Sequence, residues 1–430
     1  MNTSTRVSQS ESSSTVLYPT HHRERVVVTG CGVVCALGNS VPELTLALRT
    51  GQSGVRLVAS DPAGQPCVAA CPLMEGSYPE LCAADRALFD PVTRYAMHAA
   101  VEALEQSALL TEHSLLANTG VYIGTALGGM STVEEIFRDI WYHGTAPKPL
   151  SVVCAMSNAP AAHLSIRFGL KGPNLTYATG CASATMAIGQ AFNAIREGRL
   201  NCALVGGTEA CVTNGVVRSW QAMRLLANVD RKLPSEACRP FSRDRSGCVL
   251  GEGAAMLVLE SLDVATARGA PILCELLGFG SNSDASHICI PSMEGQAAAM
   301  SGALVDAQLA PADIDYLNAH GCATRISDVT ETKAIRQAFG ASADRLAVSS
   351  TKSVHGHLLG ASGALEFAVS LIGLREQFLP ATMHLREADP DCDLDYVANV
   401  PRLGVEMRNF MSNSFAFGGS NAVVVAGHTR

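Results

Sequence analysis

The chain has 430 residues and a formal net charge of −8, with 47% apolar and 16% charged residues. This length exceeds what one hydrophobic core usually fills, so we predict two domains or two fused halves. The acidic balance gives no basic field for nucleic acid, and no apolar run reaches membrane-spanning length. We therefore expect neither nucleic acid nor a membrane as a partner.

The fifteen cysteines are scattered, and the closest pairs have three residues between them. They form neither a zinc-binding array nor a dense disulfide framework, which favours a reducing cytoplasm and no metal site. Residues 1–23 are rich in Ser and Thr and lack the apolar core of a secretory signal. We predict a disordered tail there.

The folded part opens with a buried strand, predicted over Val26–Thr29, followed by a glycine-rich turn. Gly30, Gly32 and Cys35 fall one glycine short of a dinucleotide fingerprint, so we predict a plain turn from strand to helix. Arg94–Gln106 has helical periodicity, and strand and helix signals alternate after it. This alternation is typical of α/β layering.

Cys181 stands between an apolar extended run and a predicted helix, in the stretch from Tyr177 to Gly198. In the first turn of that helix, unpaired N–H groups and the helix dipole would favour the nucleophilic thiolate. From this stretch alone, a buried structural cysteine is the alternative.

The second half of the chain repeats the strand and helix pattern of the first. Both halves end in a buried apolar strand, predicted over Ala255–Leu259 and Ala422–Ala426. We place the boundary near Gly269, with an N-terminal half over 24–268 and a C-terminal half over 269–430.

Two histidines, His320 and His357, follow predicted strands and have glycine beside them, so a substrate can approach closely. Each alone is typical of a structural residue. Together with a distant cysteine they form the arrangement expected for acyl transfer through a thiol. Lys352 and Glu366 are predicted to pair near the histidines in a buried position, a surface ion pair being the alternative.

Two further features leave alternatives open. Asp328 and Glu331 are predicted to share a helix face, where they either anchor the preceding loop or take part in chemistry. Phe415 and Phe417 lie beside a pair of glycines near the C-terminus. They are either ordinary core residues or a gate that closes an apolar cavity.

Four segments in this order resemble the β-ketoacyl-acyl carrier protein synthases, especially the type II elongating enzymes: TGCASAT, NAHGCAT, SSTKSVHGHLLGASGALE and NSFAFGGSN. The resemblance extends from about Arg25 to the C-terminus. It implies an α/β fold of the thiolase type, built from two related halves in five αβαβα layers and normally dimeric.

The resemblance also implies roles for individual residues. Cys181 would accept the acyl chain, while His320 and His357 would assist decarboxylation of malonyl-carrier protein and stabilise the enolate. Lys352, paired with Glu366, would organise the site. The N–H groups of Cys181 and Phe417 match the oxyanion hole, and Phe417 matches a gating phenylalanine. Decarboxylation supplies the carbanion in this family, so we expect no metal or nicotinamide cofactor.

The sequence departs from the family pattern around the substrate. Cys322 and Cys289 stand where the family usually has threonines that hold pantetheine, whereas Thr324 matches. His355 replaces a usual threonine, and Ala416 replaces the usual glycine between the gate phenylalanines. The acyl pocket is predicted to involve Leu127, Leu150, Val216 and Trp220. Leu150 and Ser151 stand where bulky aromatics are common in the family, and Trp220 stands in place of a phenylalanine. We expect a reshaped pocket suited to a rigid or unsaturated chain.

Carrier proteins are acidic, so a local basic patch is expected at the tunnel mouth. Its candidates are Arg86, Arg94, Arg218 and Arg224.

Three other functions compete with fatty-acid chain elongation. A thiolase-like enzyme using coenzyme A would ordinarily need a second catalytic cysteine. A specialised polyketide or aryl polyene ketosynthase, acting with a chain-length-factor-like partner, shares every motif. A non-catalytic chain-length-factor-like subunit would lack the nucleophile that Cys181 provides. The sequence leaves a homodimer and a heterodimer both open.

Overall fold

The computed structural model describes residues 23–58, 68–73 and 88–430. The predicted disordered tail lies outside the described residues except for Arg23, and Arg86 lies outside them as well. The strands are β1 Val26–Cys35, β2 Arg56–Val58, β3 Val68–Cys71, β4 Gly120–Gly124, β5 Asn174–Tyr177, β6 Cys202–Glu209, β7 Leu250–Gly251, β8 Gly253–Ser261, β9 Cys274–Ser283, β10 Tyr316–Asn318, β11 Ala347–Ser349, β12 Phe378–Leu379, β13 Arg402–Leu403, β14 Asn409–Phe415 and β15 Ser420–Gly427.

The α-helices of the described ranges, in chain order, are α1 Val41–Thr50, α2 Pro91–Gln106, α3 His113–Ala117, α4 Met130–Arg138, α5 Ser151–Ala155, α6 Ala159–Phe168, α7 Ser183–Arg196, α8 Asn214–Ala222, α9 Leu262–Ala267, α10 Met293–Ala307, α11 Arg325–Phe339, α12 Lys352–His355 and α13 Ser362–Glu376. Short 3₁₀ turns at Gly180–Ala182 and Leu359–Ala361 precede α7 and α13.

Ten strands form one mixed sheet in the order β11-β10-β14-β15-β9-β1-β8-β6-β4-β5. It consists of two five-stranded halves joined where β1 pairs antiparallel with β9. From that seam outward, both halves have two antiparallel pairings followed by two parallel ones. The repeated pattern shows that the two halves are related, as predicted.

Helices complete the layers. The helices α7 and α13 contact each other and strands of both half-sheets, so they form the central layer. The helices α2 and α6 cover the outer face of the first half-sheet, while α10 covers that of the second and packs against α11. This is the five-layered αβαβα arrangement of the thiolase fold, and its central helix α13 is buried from Ser362 to Leu374.

The start of the fold differs from the prediction. Strand β1 continues through the expected glycine turn to Cys35 and pairs with β8 on both sides of an irregularity at Thr29. A Cβ at Gly30 or at Gly32 would lie 2.1 Å from a carbonyl oxygen of α2. The glycines therefore allow α2 to pack directly on the strand, and they form neither a turn nor a dinucleotide site.

Candidate active site

Cys181 lies in the 3₁₀ turn between β5 and α7, at the start of the central layer. Gly180 precedes it with φ of +59°, a left-handed conformation that favours glycine. The expected ionisation is wrong for the resting protein, because burial raises the pKa of the Cys181 thiol to about 12. The raised pKa favours the neutral thiol, so the sulfur needs a base.

His357 provides that base. Its Nε2 lies 3.0 Å from Cys181 Sγ, and its Nδ1 lies 2.8 Å from the hydroxyl of Ser362. Burial and the charge of Lys352 hold the pKa of His357 well below its usual value, so the ring is neutral. The Ser362 hydroxyl can donate to or accept from Nδ1, which lets Nε2 accept a proton in one step and donate one in another.

The ring of His320 stands 5.4 Å from the ring of His357, with the two planes 83° apart. Its backbone N–H donates to Glu331 Oε1 at 2.8 Å, and its carbonyl accepts from Lys352 Nζ at 2.6 Å. Burial and Lys352 also lower the pKa of His320 well below its ordinary value. Two neutral imidazoles thus face the nucleophile.

Lys352 and Glu366 form an ion pair with both side chains completely buried. This places the predicted pair in the interior rather than at the surface. Burial raises the pKa of Glu366 to about 7, and the ammonium of Lys352 opposes that rise. The pair holds a positive charge beside both imidazoles, which disfavours their protonation.

Asp328 and Glu331 lie on the buried face of α11. Glu331 accepts hydrogen bonds from the backbone N–H groups of His320 and Gly321. Asp328 accepts from Phe241 N and lies 3.5 Å from the buried Arg245 guanidinium. Both carboxylates therefore anchor loops around the site. Arg245 could not be predicted from the sequence, because nothing near it in the chain identifies its partner.

A cavity of about 410 Å³ opens onto Cys181, His320 and His357. The three residues predicted to contact pantetheine, Cys289, Cys322 and Thr324, all line it. The hydroxyl of Thr324 also accepts from Ser327 N as the N-cap of α11. Cys322 Sγ lies 3.0 Å from Ser327 Oγ.

The gate loop, residues 415–419, forms one wall of the cavity. Gly418 and Gly419 have φ of +85° and +76°, and a Cβ at Gly180 would lie 3.3 Å from Ala416 Cβ. Phe417 is 41% exposed, and its ring lies 5.9 Å from that of Trp220. Its N–H makes no hydrogen bond within the described ranges.

The predicted acyl-pocket residues separate into two groups. Leu127, Val216 and Trp220 belong to the apolar cluster that contains Cys181. Leu150 is 57% exposed and does not line the cavity. It precedes the short helix α5 on an apolar stretch of surface, so this chain alone does not bring it to the nucleophile.

The arginines predicted for the basic patch also differ in their position relative to the cavity. Arg224 is exposed and lines the cavity. Arg218 is exposed on α8, six residues earlier in the chain. Arg94 is half-buried, its Nε donates to the carbonyl of Phe89, and it does not line the cavity. Arg325, which the sequence analysis did not select, is exposed at the cavity rim.

Glu209 was also missed. It ends β6, is completely buried and accepts four hydrogen bonds near the site. The sequence does contain a signal for it, because a carboxylate ends the apolar strand in VGGTEA. A buried carboxylate requires hydrogen-bond partners, so this position indicates a structural or functional role.

Within the ranges that the structure describes, no helix is long and apolar enough to span a membrane.

The comparisons with known proteins agree on one family. The family model described as "Beta-ketoacyl synthase, N-terminal domain" matches residues 23–265, and the corresponding C-terminal model matches residues 273–386. Nodulation protein E of Rhizobium leguminosarum bv. trifolii is 42% identical over 414 residues, covering 93% of this chain and 98% of that protein. The 3-oxoacyl-[acyl-carrier-protein] synthase 2 of Staphylococcus aureus (strain COL) is 38% identical over 407 residues, covering 94% and 98%. A solved structure of the ishigamide ketosynthase/chain length factor aligns with a TM-score of 0.86 and 32% identity, over 95% of this chain and 100% of that chain.

Proposed function

The chain belongs to the beta-ketoacyl synthase family, an acyltransferase-class family of condensing enzymes, and on that premise we propose its reaction. It transfers an acyl chain from a carrier protein to Cys181 and condenses that chain with malonyl-carrier protein, extending it by two carbons. The contact of 3.0 Å between Cys181 Sγ and His357 Nε2, at the end of an open cavity, carries this proposal.

In the first half-reaction, His357 Nε2 accepts the thiol proton as Sγ attacks the acyl thioester carbonyl. The oxyanion is held by the N–H groups of Cys181 and Phe417. The pantetheine sulfur leaves and takes the proton from His357. Acyl-Cys181 remains.

In the second half-reaction, malonyl-carrier protein occupies the cavity and loses carbon dioxide. The electron pair of the broken C–C bond forms an enolate, whose oxygen accepts hydrogen bonds from the neutral rings of His320 and His357. The enolate carbon attacks the acyl-Cys181 carbonyl, and the Cys181 thiolate leaves and takes up a proton from water through His357 Nε2. This sequence of steps draws on decarboxylation rather than on a metal or nicotinamide.

We assign supporting roles to the other residues around the site. Lys352 with Glu366 keeps both imidazoles neutral, while Asp328 and Glu331 hold the loops that carry the reacting groups. Thr324, Cys322 and Cys289 contact pantetheine, and Trp220, Leu127 and Val216 contact the acyl chain. Arg224 and Arg218 meet the acidic carrier protein.

The chain works as a dimer or with a chain-length-factor-like subunit, by analogy with the ishigamide ketosynthase/chain length factor. An apolar surface on residues 137–156 supports this, because Trp141, Tyr142 and Val152 are 76%, 85% and 72% exposed. Exposed apolar patches of this kind are typical of surfaces that become buried when two proteins associate. We also place the protein in the cytoplasm, since the thirteen cysteines of the described ranges are free thiols.

A direct assay tests the proposed reaction. The wild-type chain and Cys181→Ala are each incubated with acyl-carrier protein and malonyl-carrier protein, and products are identified by mass. We expect a 3-oxoacyl product two carbons longer with the wild type and none with the variant. Equal product from both proteins would remove Cys181 from the reaction.

The products also distinguish two kinds of condensing enzyme. Ordinary saturated products from the chain alone would indicate fatty-acid elongation. Products that form only with a neighbouring synthase-like subunit present would indicate a specialised ketosynthase, which the structural likeness to a ketosynthase/chain length factor pair favours.

A further inference from the structure

Glu209 stands where the two halves of the active site meet. Its Oε2 accepts from Ala126 N at 2.7 Å and from Gly360 N at 2.9 Å. Its Oε1 accepts from Leu127 N and from Thr125 Oγ1, both at 3.1 Å. The side chain has no exposed surface.

These donors come from two segments, one beside the nucleophile Cys181 and one beside the base His357. Residues 125–127 follow β4, whose last residue, Gly124, packs on the start of the nucleophile helix α7: a Cβ at Gly124 would lie 2.3 Å from Ala184 N. Gly360 belongs to the 3₁₀ turn that follows His357. A single oxygen, Glu209 Oε2, thus ties the cysteine side of the site to the histidine side.

The turn at Gly360 also sets the orientation of the base. His357 lies three residues before Gly360, and Ser362, which contacts His357 Nδ1, lies two residues after it. A Cβ at Gly360 would lie 2.2 Å from Ala126 N, so the two segments are already in direct contact. Movement of this turn would displace both the imidazole and the hydroxyl that orients it.

We propose that Glu209 is a positioning residue for acylation, which holds the His357 turn against the loop beside α7 and so maintains the contact between Cys181 and His357. This inference rests on the proposed function. Glu209 touches no reacting atom, and it acts through Gly360 and Ala126.

The four donors match the four acceptor positions of an ionised carboxylate. Burial raises the pKa of Glu209 to about 7, and its hydrogen bonds oppose that rise. At pH 8 the group is ionised. A glutamine in its place has no charge and directs an N–H group toward one pair of donors. The substitution therefore weakens the hydrogen bonds between the two segments without changing the shape of the side chain.

The test compares Glu209→Gln with Glu252→Gln. Glu252 is a matched control because it is also buried, accepts from two backbone amides, Val212 N and Leu73 N, and has a pKa raised to about 7. Two rates are measured at pH 8 for each protein: alkylation of Cys181 by iodoacetamide, followed by peptide mass, and steady-state condensation.

We expect Glu209→Gln to slow Cys181 alkylation and kcat by about 10- to 100-fold, with the KM for acyl-carrier protein unchanged. Glu252→Gln should stay within about twofold of wild type in both rates. Wild-type rates in Glu209→Gln, or an equal loss in Glu252→Gln, would overturn the proposal. If Glu209→Gln fails to fold, Glu209→Asp, which keeps the charge but is too short to reach both sides, carries the same expectation.

The two readouts separate the possible failures. Alkylation requires no acyl substrate, so it tests the position of His357 even if no carrier protein supports condensation. Absence of condensation in the wild type, both alone and with a synthase-like subunit, would reject the proposed function. Active condensation with unchanged alkylation in Glu209→Gln would reject only the role of Glu209.

Discussion

A buried thiol and a neutral imidazole in direct contact define the chemistry of this site at the scale of single residues. The sequence located Cys181, His320 and His357 through their motifs, but it misjudged the ionisation of the sulfur. Local position at a helix start favours a thiolate, whereas the three-dimensional surroundings remove water and raise the pKa to about 12. Burial of this kind is set by distant segments, which is why the local pattern could not reveal it.

The two histidines should differ in their effect on the free thiol. His357 Nε2 is 3.0 Å from Cys181 Sγ, while His320 faces the cavity beside it. We expect His357→Ala to slow alkylation of Cys181 by about 100-fold, because the base is lost. His320→Ala should leave alkylation within about threefold of wild type, although both variants lose condensation. An equal effect of the two variants on alkylation would contradict this assignment.

The buried ion pair predicts a shift in the pH profile. Burial, and after it the charge of Lys352, holds the pKa values of His320 and His357 well below 6.5. In the double variant Lys352→Gln, Glu366→Gln these pKa values rise, because protonating an imidazole no longer meets a like charge. The acid limb of kcat should therefore move to higher pH, with the loss of activity beginning nearer pH 6.5.

The matched control for that variant is Arg268→Gln, Glu260→Gln, which neutralises a second buried ion pair outside the cavity lining. Its pH profile should follow the wild type. An unshifted acid limb in the Lys352 and Glu366 variant would show that this pair has a purely structural role.

At the scale of elements, the sequence predicted the strands and helices around the site well because apolar periodicity is strong in a densely buried fold. The prediction of a turn at Gly30 and Gly32 was wrong, because β1 continues through both glycines. Those glycines instead admit the carbonyl oxygens of α2, at 2.1 Å from where a Cβ would stand. Sequence alone does not distinguish a glycine that turns the chain from one that lets another element approach closely.

The contact between α8 and the gate loop predicts substrate selectivity. The Trp220 and Phe417 rings lie 5.9 Å apart at the apolar cluster around Cys181. Trp220→Phe introduces the phenylalanine that the family resemblance leads us to expect here, and it removes part of the indole from this compartment. We expect acylation by saturated C10 to C14 chains, relative to unsaturated ones, to rise by about 10-fold, measured by mass-detected loading.

The chain contains one other tryptophan, Trp141, which is 76% exposed and lies outside the cavity lining. Trp141→Phe serves as the control and should leave the chain-length profile unchanged. Identical profiles for Trp220→Phe and the wild type would show that the indole does not limit the pocket.

At the scale of the whole molecule, two related half-sheets meet at the β1 and β9 seam, and the halves contribute complementary groups to one cavity. The N-terminal half supplies the nucleophile and the C-terminal half supplies both imidazoles and the gate. The ordered motifs predicted this division. They could not predict how Glu209, at the end of β6, bonds to Gly360 across the halves, because that contact spans 151 positions of sequence.

The exposed apolar surface on residues 137–156 predicts association. The purified chain, alone or with a synthase-like subunit, should sediment above its monomer mass of 45.0 kDa. Trp141→Asp combined with Val152→Asp should sediment as a monomer, because charges replace apolar contacts. The control Val305→Asp changes a residue on α10 that is 78% exposed and should not alter the mass. A monomeric wild type that binds no such subunit would contradict the assignment of this surface.

The most direct measurement of the proposed chemistry is the intact mass of the protein after incubation with a panel of acyl-carrier proteins, alone and with a synthase-like subunit. We predict a mass increase of one acyl group, located at Cys181 by peptide mapping, that disappears when malonyl-carrier protein is added and a 3-oxoacyl product forms. An acyl group on another residue, or an unmodified Cys181 across the whole panel with and without the subunit, would contradict it.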